Sequence, residues 1–389
     1  MKKKLTGFWS VFRREAASLL ADLNIRTVVI LAPLLYPLMY GSVYLHKTEV
    51  DIPIVVVDQD HSALSREFIR DLDAHQLIKV YEVVPDIGTA QDRLYRLEAQ
   101  GIVVIPSDFS SSQKKGKGSD VKVLLNTTRF LPSNDLNKAI SAVALNDAGA
   151  MRIKFLEMAG YSVKQAEEIA DPVRDDVRPM FNFTETYGDF LIPGIFILIL
   201  QQTLLIGLSQ SVAKERENGT LAELYHTANN SLWATMSGKG FIYFLLFASY
   251  AVLYAVVYFA IFELPLKGDL LALSVLTAIF LLSVVYMSIF ISSFFTRKII
   301  ALQTIAFTSY PVFFLSGYSW PTIGMPVPLQ WLAQLLPSTH YFTAAVRIME
   351  MNAGWREVMP ECCWLAGLTA AGLIFTRMRM RSLLRSELT

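Results

Sequence analysis

The chain has 389 residues, of which 53% are hydrophobic and 18% charged, with a mean hydropathy of +0.39. A soluble globule carries roughly 25% charge, so this composition excludes an ordinary soluble enzyme, and a net charge of +1 gives no overall attraction to nucleic acid. The two cysteines, Cys362 and Cys363, are neighbours, a spacing that strains a disulfide, and they read as free thiols in or near lipid.

Residues 1–26 open with Lys2, Lys3 and Lys4. Leu5, Phe8, Trp9, Phe12, Ala16, Leu19 and Leu23 then recur at helical spacing on one face. This suits a helix lying in the headgroup plane on the cytoplasmic side, with Trp9 at the interface; a plain cytoplasmic amphipathic helix would read similarly. Thr27 to Leu45 carries no charge and is long enough to cross a bilayer. It has no small-x-small cleavage site, so it reads as a span and not as a removable signal. Pro33 and Pro37 are predicted to kink it.

Residues 47–187 change solvent. Ile52 to Asp58 reads as a buried strand, Ser62 to Asp73 as a helix, and Leu77 to Val84 as an alternating strand. Thr89-x-x-Asp92 is predicted to cap a helix reaching Gln100. Strands follow at Gly101–Pro106 and Val121–Asn126, then a helix from Asn134 to Ala159. Ser162-x-x-Gln165 caps one more before Pro172. Ser110 to Asp120 is expected to be a mobile loop. Strands alternating with helices make an α/β domain.

From residue 188 to 376 the membrane returns, with apolar runs at Phe190–Ser211, Phe241–Phe262, Leu270–Phe295, Ile299–Gly317 and Cys362–Thr376, the last the weakest. The expected fold is therefore an α-helical polytopic membrane protein of six transmembrane helices with an inserted extracytoplasmic α/β domain. Lys and Arg sort to one side: the start, Lys214, Arg216 and Lys239, Arg297 and Lys298, and Arg377, Arg379, Arg381 and Arg385 in a basic tail over 377–389. Both termini are thus expected in the cytoplasm. Residues 311–361 are apolar but broken by Pro311, Pro321, Pro326, Pro328 and Pro337, which suits short helices dipping into the outer leaflet.

The search for chemistry is mostly negative. Ser237-Gly238-Lys239-Gly240 lacks the hydroxyl residue and the preceding strand of a P-loop. The five histidines show no ligand spacing, and no metal or cofactor site is expected. Asp58-Gln59-Asp60-His61-Ser62 reads as a strand end with an Asp/Ser N-cap, although a D-x-D metal motif has the same letters. Gln201 and Gln202 sit inside a span and either line a path or bridge helices. The stretch 213–240 is charged and helix-prone between two spans. Gly219 allows a turn, and Thr220-x-x-Glu223 fits a capping box opening a short helix. Such a helix can dock a soluble partner, or be a polar connection only.

Several motifs together carry a resemblance. They are Asp58–Arg66, Val104–Phe109, Phe190–Gly194, Lys214–Thr220 followed by Glu223-Leu224, and Leu315-Ser316-Gly317 through Tyr341. The chain resembles, over nearly its whole length, the permease subunits of bacterial type-2 ABC exporters with a large extracytoplasmic domain. Ala228 departs from the pattern, since relatives usually carry Pro after the Thr, and is expected to alter the loop only. The resemblance implies a permease subunit that moves a hydrophobic or amphipathic substrate outward across the bacterial inner membrane. It has no ATPase site of its own. A cytosolic ABC ATPase holding ATP and Mg would dock on Glu215, Arg216, Glu217, Gly219, Thr220, Glu223 and Leu224 and push on the N-terminal helix with Phe8, Trp9 and Phe12. A second permease copy or a homologous permease is implied, and a periplasmic adaptor and outer-membrane channel can join. A membrane receptor with a ligand-binding α/β domain is the alternative; a pull-down for an ATPase separates the two.

Overall fold

The structure is a computed structural model that describes residues 2–45, 47–170, 178–182 and 185–388. Met1 and Pro172, the latter read above as ending a helix, lie outside the described residues. The chain forms two compact units, one of Met1–Lys47 with Pro179–Thr389, the other of Thr48–Arg178.

In the second unit the strands are β1 (Ile52–Asp58), β2 (Ile78–Val84), β3 (Gly101–Ile105) and β4 (Lys122–Leu125), in sheet order β2-β1-β3-β4. β1 runs parallel to β2 and β3, and β4 is antiparallel to β3. β1 is buried on both faces, which is why it reads as an unbroken apolar run. Ile52, Ile54 and Val56 face Phe68 and Leu72 of one helix (Ala63–Asp73) and Leu136 and Ile140 of another (Phe130–Met158). Val55 and Val57 face Ala90 and Leu94 of the helix Ile87–Tyr95 on the other side. Ser62 is the N-cap as expected, and Ser65 completes a capping box by accepting from the Ser62 N–H. The next helix is capped by Asp86, not Thr89, and ends at Tyr95. Asp86 accepts both the backbone N–H and the hydroxyl of Thr89, which lies inside the helix and so cannot be its N-cap. The stretch expected to be a mobile loop begins as a helix, Phe109–Lys114, pinned by buried Phe109. The long helix starts at Phe130, four residues before the predicted start at Asn134, and Ser162 and Gln165 cap Val163–Ala170 as expected.

Among the described residues, the first unit has six helices long and apolar enough to cross a membrane. In chain order we label α1 (Lys2–Ala21), α2 (Leu23–Val43), α3 (Tyr187–Glu217), α4 (Leu221–Thr227), α5 (Leu232–Ile261), α6 (Leu270–Ser292), α7 (Lys298–Leu315), α8 (Val327–Gln334), α9 (Pro337–Met349) and α10 (Trp355–Leu388). α3 is central and the most buried span, packing on α2, α6 and α7. The last span is no short one: α10 starts before the Cys pair and carries Arg377, Arg379 and Arg381 on the same helix. The broken apolar segment forms α8, α9 and a 3-10 turn at Thr322–Gly324.

The prolines of α2 are accommodated one by one. A π turn over Thr27–Leu31 precedes Pro33, whose ring would otherwise clash with the Val29 carbonyl. Pro37 has no N–H to give the Pro33 carbonyl, and the Tyr254 hydroxyl donates to that oxygen instead, at 2.6 Å. Tyr258 donates to the next carbonyl, Leu34, at 2.9 Å.

Candidate functional site

The last turn of α3 is a junction. At 3.6 residues per turn, consecutive side chains leave a helix about 100° apart, and here four in a row reach four different places. Lys214 pairs with Asp22, just before α2, at 3.0 Å. Glu215 meets α1 and α5. The Arg216 guanidinium donates to the Ser293 and Phe295 carbonyls beyond α6, both at 2.7 Å. Glu217 accepts the Lys298 backbone N–H at 2.8 Å and so caps α7, a carboxylate at a helix N-terminus.

The inward branch is a charge-balanced network. Lys239 of α5 lies 3% exposed and donates to Glu15 Oε2 and, at 3.4 Å, to Glu215 Oε1. Glu15, 1% exposed, also accepts from Ser211 and, at 3.1 Å, from the Tyr243 hydroxyl. Glu215 Oε2 accepts from Arg14 at 3.2 Å and from the Thr220 hydroxyl. Burying two carboxylates is tolerable only with such pairing and hydrogen bonding. Arg14 also lies 3.8 Å from Glu223, whose side chain is 69% exposed, so this branch ends at the surface.

Local sequence explains the assembly. α1 lies on α5 because Gly238 leaves room: a Cβ there would sit 2.8 Å from the Phe8 carbonyl oxygen. The buried face of α1 is Phe8, Val11, Glu15 and Leu19; of the predicted stripe Phe8 and Leu19 are buried, whereas Leu5, Trp9 and Leu23 are exposed. Trp9 is half exposed and touches Phe12 edge-on, while Phe8 stacks on Trp233. α3 ends in a Schellman turn. Gly219, at φ +66°, gives its N–H to the Arg216 carbonyl and Thr220 gives its own to the Glu215 carbonyl.

Two expectations need correcting. The Thr220–Glu223 capping box is not formed, because the Thr220 hydroxyl is held by Glu215 and makes no cap hydrogen bond. Leu224 is 1% exposed and packs with Leu221 among Val11, Met380 and Leu383, so it cannot touch a partner directly. Glu217, Asn218, Gly219, Glu223 and His226 form the exposed face. Ala228 gives its N–H to the Leu224 carbonyl at 3.1 Å, a bond that Pro would lack.

Asp22 belongs to the same end of the unit. Burial pushes its carboxyl up, but hydrogen bonds from Lys214, Lys298 and the Ile25 backbone outweigh this and bring it down to about 2. Farther along α3, Gln201 and Gln202 are 0% and 6% exposed, and none of their amide atoms has a hydrogen-bond partner among the described residues. They therefore do not bridge neighbouring helices by hydrogen bonds. In the other unit, the Asp58 carboxylate is taken by the Asp60 and His61 N–H groups and the Ser65 hydroxyl, and Asp60 by Ser110. Arg14, Glu15, Ser211, Lys239 and Tyr243 were not singled out as site residues from the sequence. A Glu on an apolar helix face and a Lys between two glycines at the start of a span were the available signals.

The profile of the ABC-2 family transporter protein matches residues 26–377. The chain is similar to the probable multidrug ABC transporter permease YbhR of Escherichia coli K12, 25% identical over 364 residues covering 90% of this chain and 93% of the relative. It is similar to the linearmycin resistance permease protein LnrN of Bacillus subtilis, 24% identical with 88% and 91% covered. It also resembles the inner membrane transport permease YhhJ of E. coli K12, 20% identical with 97% and 98% covered. With six spanning helices and a family match over most of its length, the chain belongs to the ABC-2 transporter family and is the multi-pass permease subunit of an ABC exporter.

Proposed function

We propose that the junction at the end of α3 couples an ABC ATPase to the membrane helices. The observation that carries this is the fan of Lys214, Glu215, Arg216 and Glu217 to the start of α2, to α1 and α5, to the end of α6 and to the start of α7. A push on the exposed face of the Asn218–His226 segment is delivered to all of these at once. On this reading ATP and Mg are bound by the ATPase and not by this chain. The Lys- and Arg-bearing connections meet at this end, which supports its cytoplasmic placement in a bacterial inner membrane, with both termini inside. The α/β unit is then extracytoplasmic.

A second permease, identical or homologous, packs on α7, the least buried span, where Phe307 and Tyr310 are 83% and 75% exposed. The names of YbhR and LnrN support a hydrophobic or amphipathic cargo. Gln201 and Gln202 serve the path that opens between the permeases, and a periplasmic adaptor and outer-membrane channel carry the cargo onward. The receptor alternative finds no support among relatives that are permeases.

The test is Glu223→Gln with His226→Ala, two exposed positions, the first at the surface end of the Arg14 branch and changed without adding a positive charge beside Arg14. Co-purified with its ATPase, the double variant is expected to keep its expression and thermal stability and to lose ATPase retention and transport. Full retention and normal transport would remove the docking role of this segment.

A further inference from the structure

We propose that a cleft between α5 and α6 is a binding site for one acyl chain of a bilayer phospholipid. The cleft holds about 340 Å³, within the range of small-molecule sites. Its floor is formed by Phe196 and Leu200 of α3, Leu273 and Thr277 of α6, and Tyr341 of α9, all buried. Its mouth is formed by Val252 and Val256 of α5 and Leu270 and Ser274 of α6, all exposed. A π turn over Tyr254–Tyr258 bulges α5 along the cleft wall, a distortion often found at functional sites.

Chemistry selects the occupant. No charged residue lines the cleft, and its hydroxyls are already engaged. Tyr341 and Thr277 bond each other at 2.8 Å, and Thr277 donates to the Leu273 carbonyl at 2.7 Å. Ser274 donates to Leu270 and Tyr254 to Pro33. A water molecule there lacks the two to four polar partners it needs. A further helix, about 10–12 Å across, is too thick for the space. Left empty, the walls would forfeit dispersion contacts. The mouth is apolar and lies on two helices built to cross a membrane, so what reaches it is hydrocarbon. An extended alkyl chain fills such a space with no polar partner required. The chain would brace α9, which is not a span, against the spanning helices through Tyr341 and Met349.

The experiment uses the full-length protein in nanodiscs of phosphatidylethanolamine with a trace of phosphatidylcholine carrying a diazirine midway along one acyl chain. After illumination, adducts are mapped by peptide mass spectrometry. Adducts on the peptides holding 252–256 and 270–281 are expected to exceed those around Leu35 and Met39, exposed apolar residues of α2, by roughly tenfold. Ala278→Trp and Ala255→Phe, two independent fillings of the cleft, are each expected to abolish the excess while leaving the α2 adducts unchanged. Labelling spread evenly over the exposed apolar surface would overturn the proposal. So would an excess that survives in whichever filled variant keeps its α2 adducts, or one displaced by an alkyl amphiphile of the cargo class at concentrations that leave bulk lipid labelling intact. None of these results bears on the coupling junction, which is tested separately.

Discussion

Two buried polar regions sit on the same helix, α3, and they differ in one respect. At its end, every carboxylate oxygen of Glu15 and Glu215 has a donor, and the cation between them, Lys239, is as buried as they are. In its middle, the amides of Gln201 and Gln202 are equally buried and have no hydrogen-bond partner among the described residues. Carboxylates whose every oxygen is satisfied fix one arrangement, even with Arg14 Nη1 left without a partner among the described residues; buried amides with none are a standing cost that another molecule can relieve. Under the proposed function, the first would transmit force within the subunit and the second would meet something from outside it.

The comparison is broken most severely at Lys239. Lys239→Met should leave two carboxylates facing each other in the interior and destabilise the chain by about 3–5 kcal/mol, read as a large drop in yield and in thermal midpoint in detergent. Adding Glu15→Gln should restore part of the loss, because one uncompensated charge is removed. Wild-type stability for the single variant would mean that the network is not closed.

At the glutamines the sign reverses. Gln201→Met and Gln202→Met remove donors and acceptors that nothing satisfies, so the protein alone should gain up to about 1–3 kcal/mol while transport falls. A loss of stability in the single subunit would show that the amides have partners. The Tyr254 hydroxyl offers a smaller check on the satisfied class. Tyr254→Phe orphans the Pro33 carbonyl again and should cost about 1 kcal/mol, seen as faster hydrogen exchange near Pro37; unchanged exchange would mean that the π turn suffices.

How much of this was legible in the sequence depended on whether a signal was local. Although α5 and α10 begin well before the predicted Phe241 and Cys362, the β1 run, the Ser62 and Ser162 caps and the presence of six apolar segments are set by neighbours along the chain and read correctly. The buried face of α1 did not, because Glu15 lies in its middle and hydrophobic periodicity shifts to the side with Trp9. The Thr220 cap failed for a related reason. A carboxylate five residues earlier, folded back by the Schellman turn, takes the hydroxyl before the helix N–H groups can. Leu224 read as a docking residue because its burial under α10 comes from a helix more than a hundred residues away. The fan of contacts from residues 214–217 is invisible to any pattern, since each partner lies on a different element.

The α/β unit supplies a third kind of polar group, partly buried and beside charges of its own sign. Asp147, on the helix Phe130–Met158, is raised to about 6, first by burial and then by Asp71 and Glu67 on the helix Ala63–Asp73. Its folded value lies above the unfolded value of 3.8, so the folded state holds the proton longer. Stability from this group is therefore greatest below about pH 4 and is lost as pH rises through about 6. The full rise would correspond to roughly 3 kcal/mol. Because the carboxyl is only partly buried, solvent screening should leave about 1 kcal/mol. Asp147→Asn removes the charge but keeps the shape. Hydrogen exchange of the two helices in the full-length protein, corrected for the intrinsic effect of pH, should show opening becoming easier between pH 4 and 6 in the parent. In the Asn variant that slope should flatten, with slower exchange at pH 7. An Asn variant with the parent's slope would show that Asp147 does not carry the pH dependence.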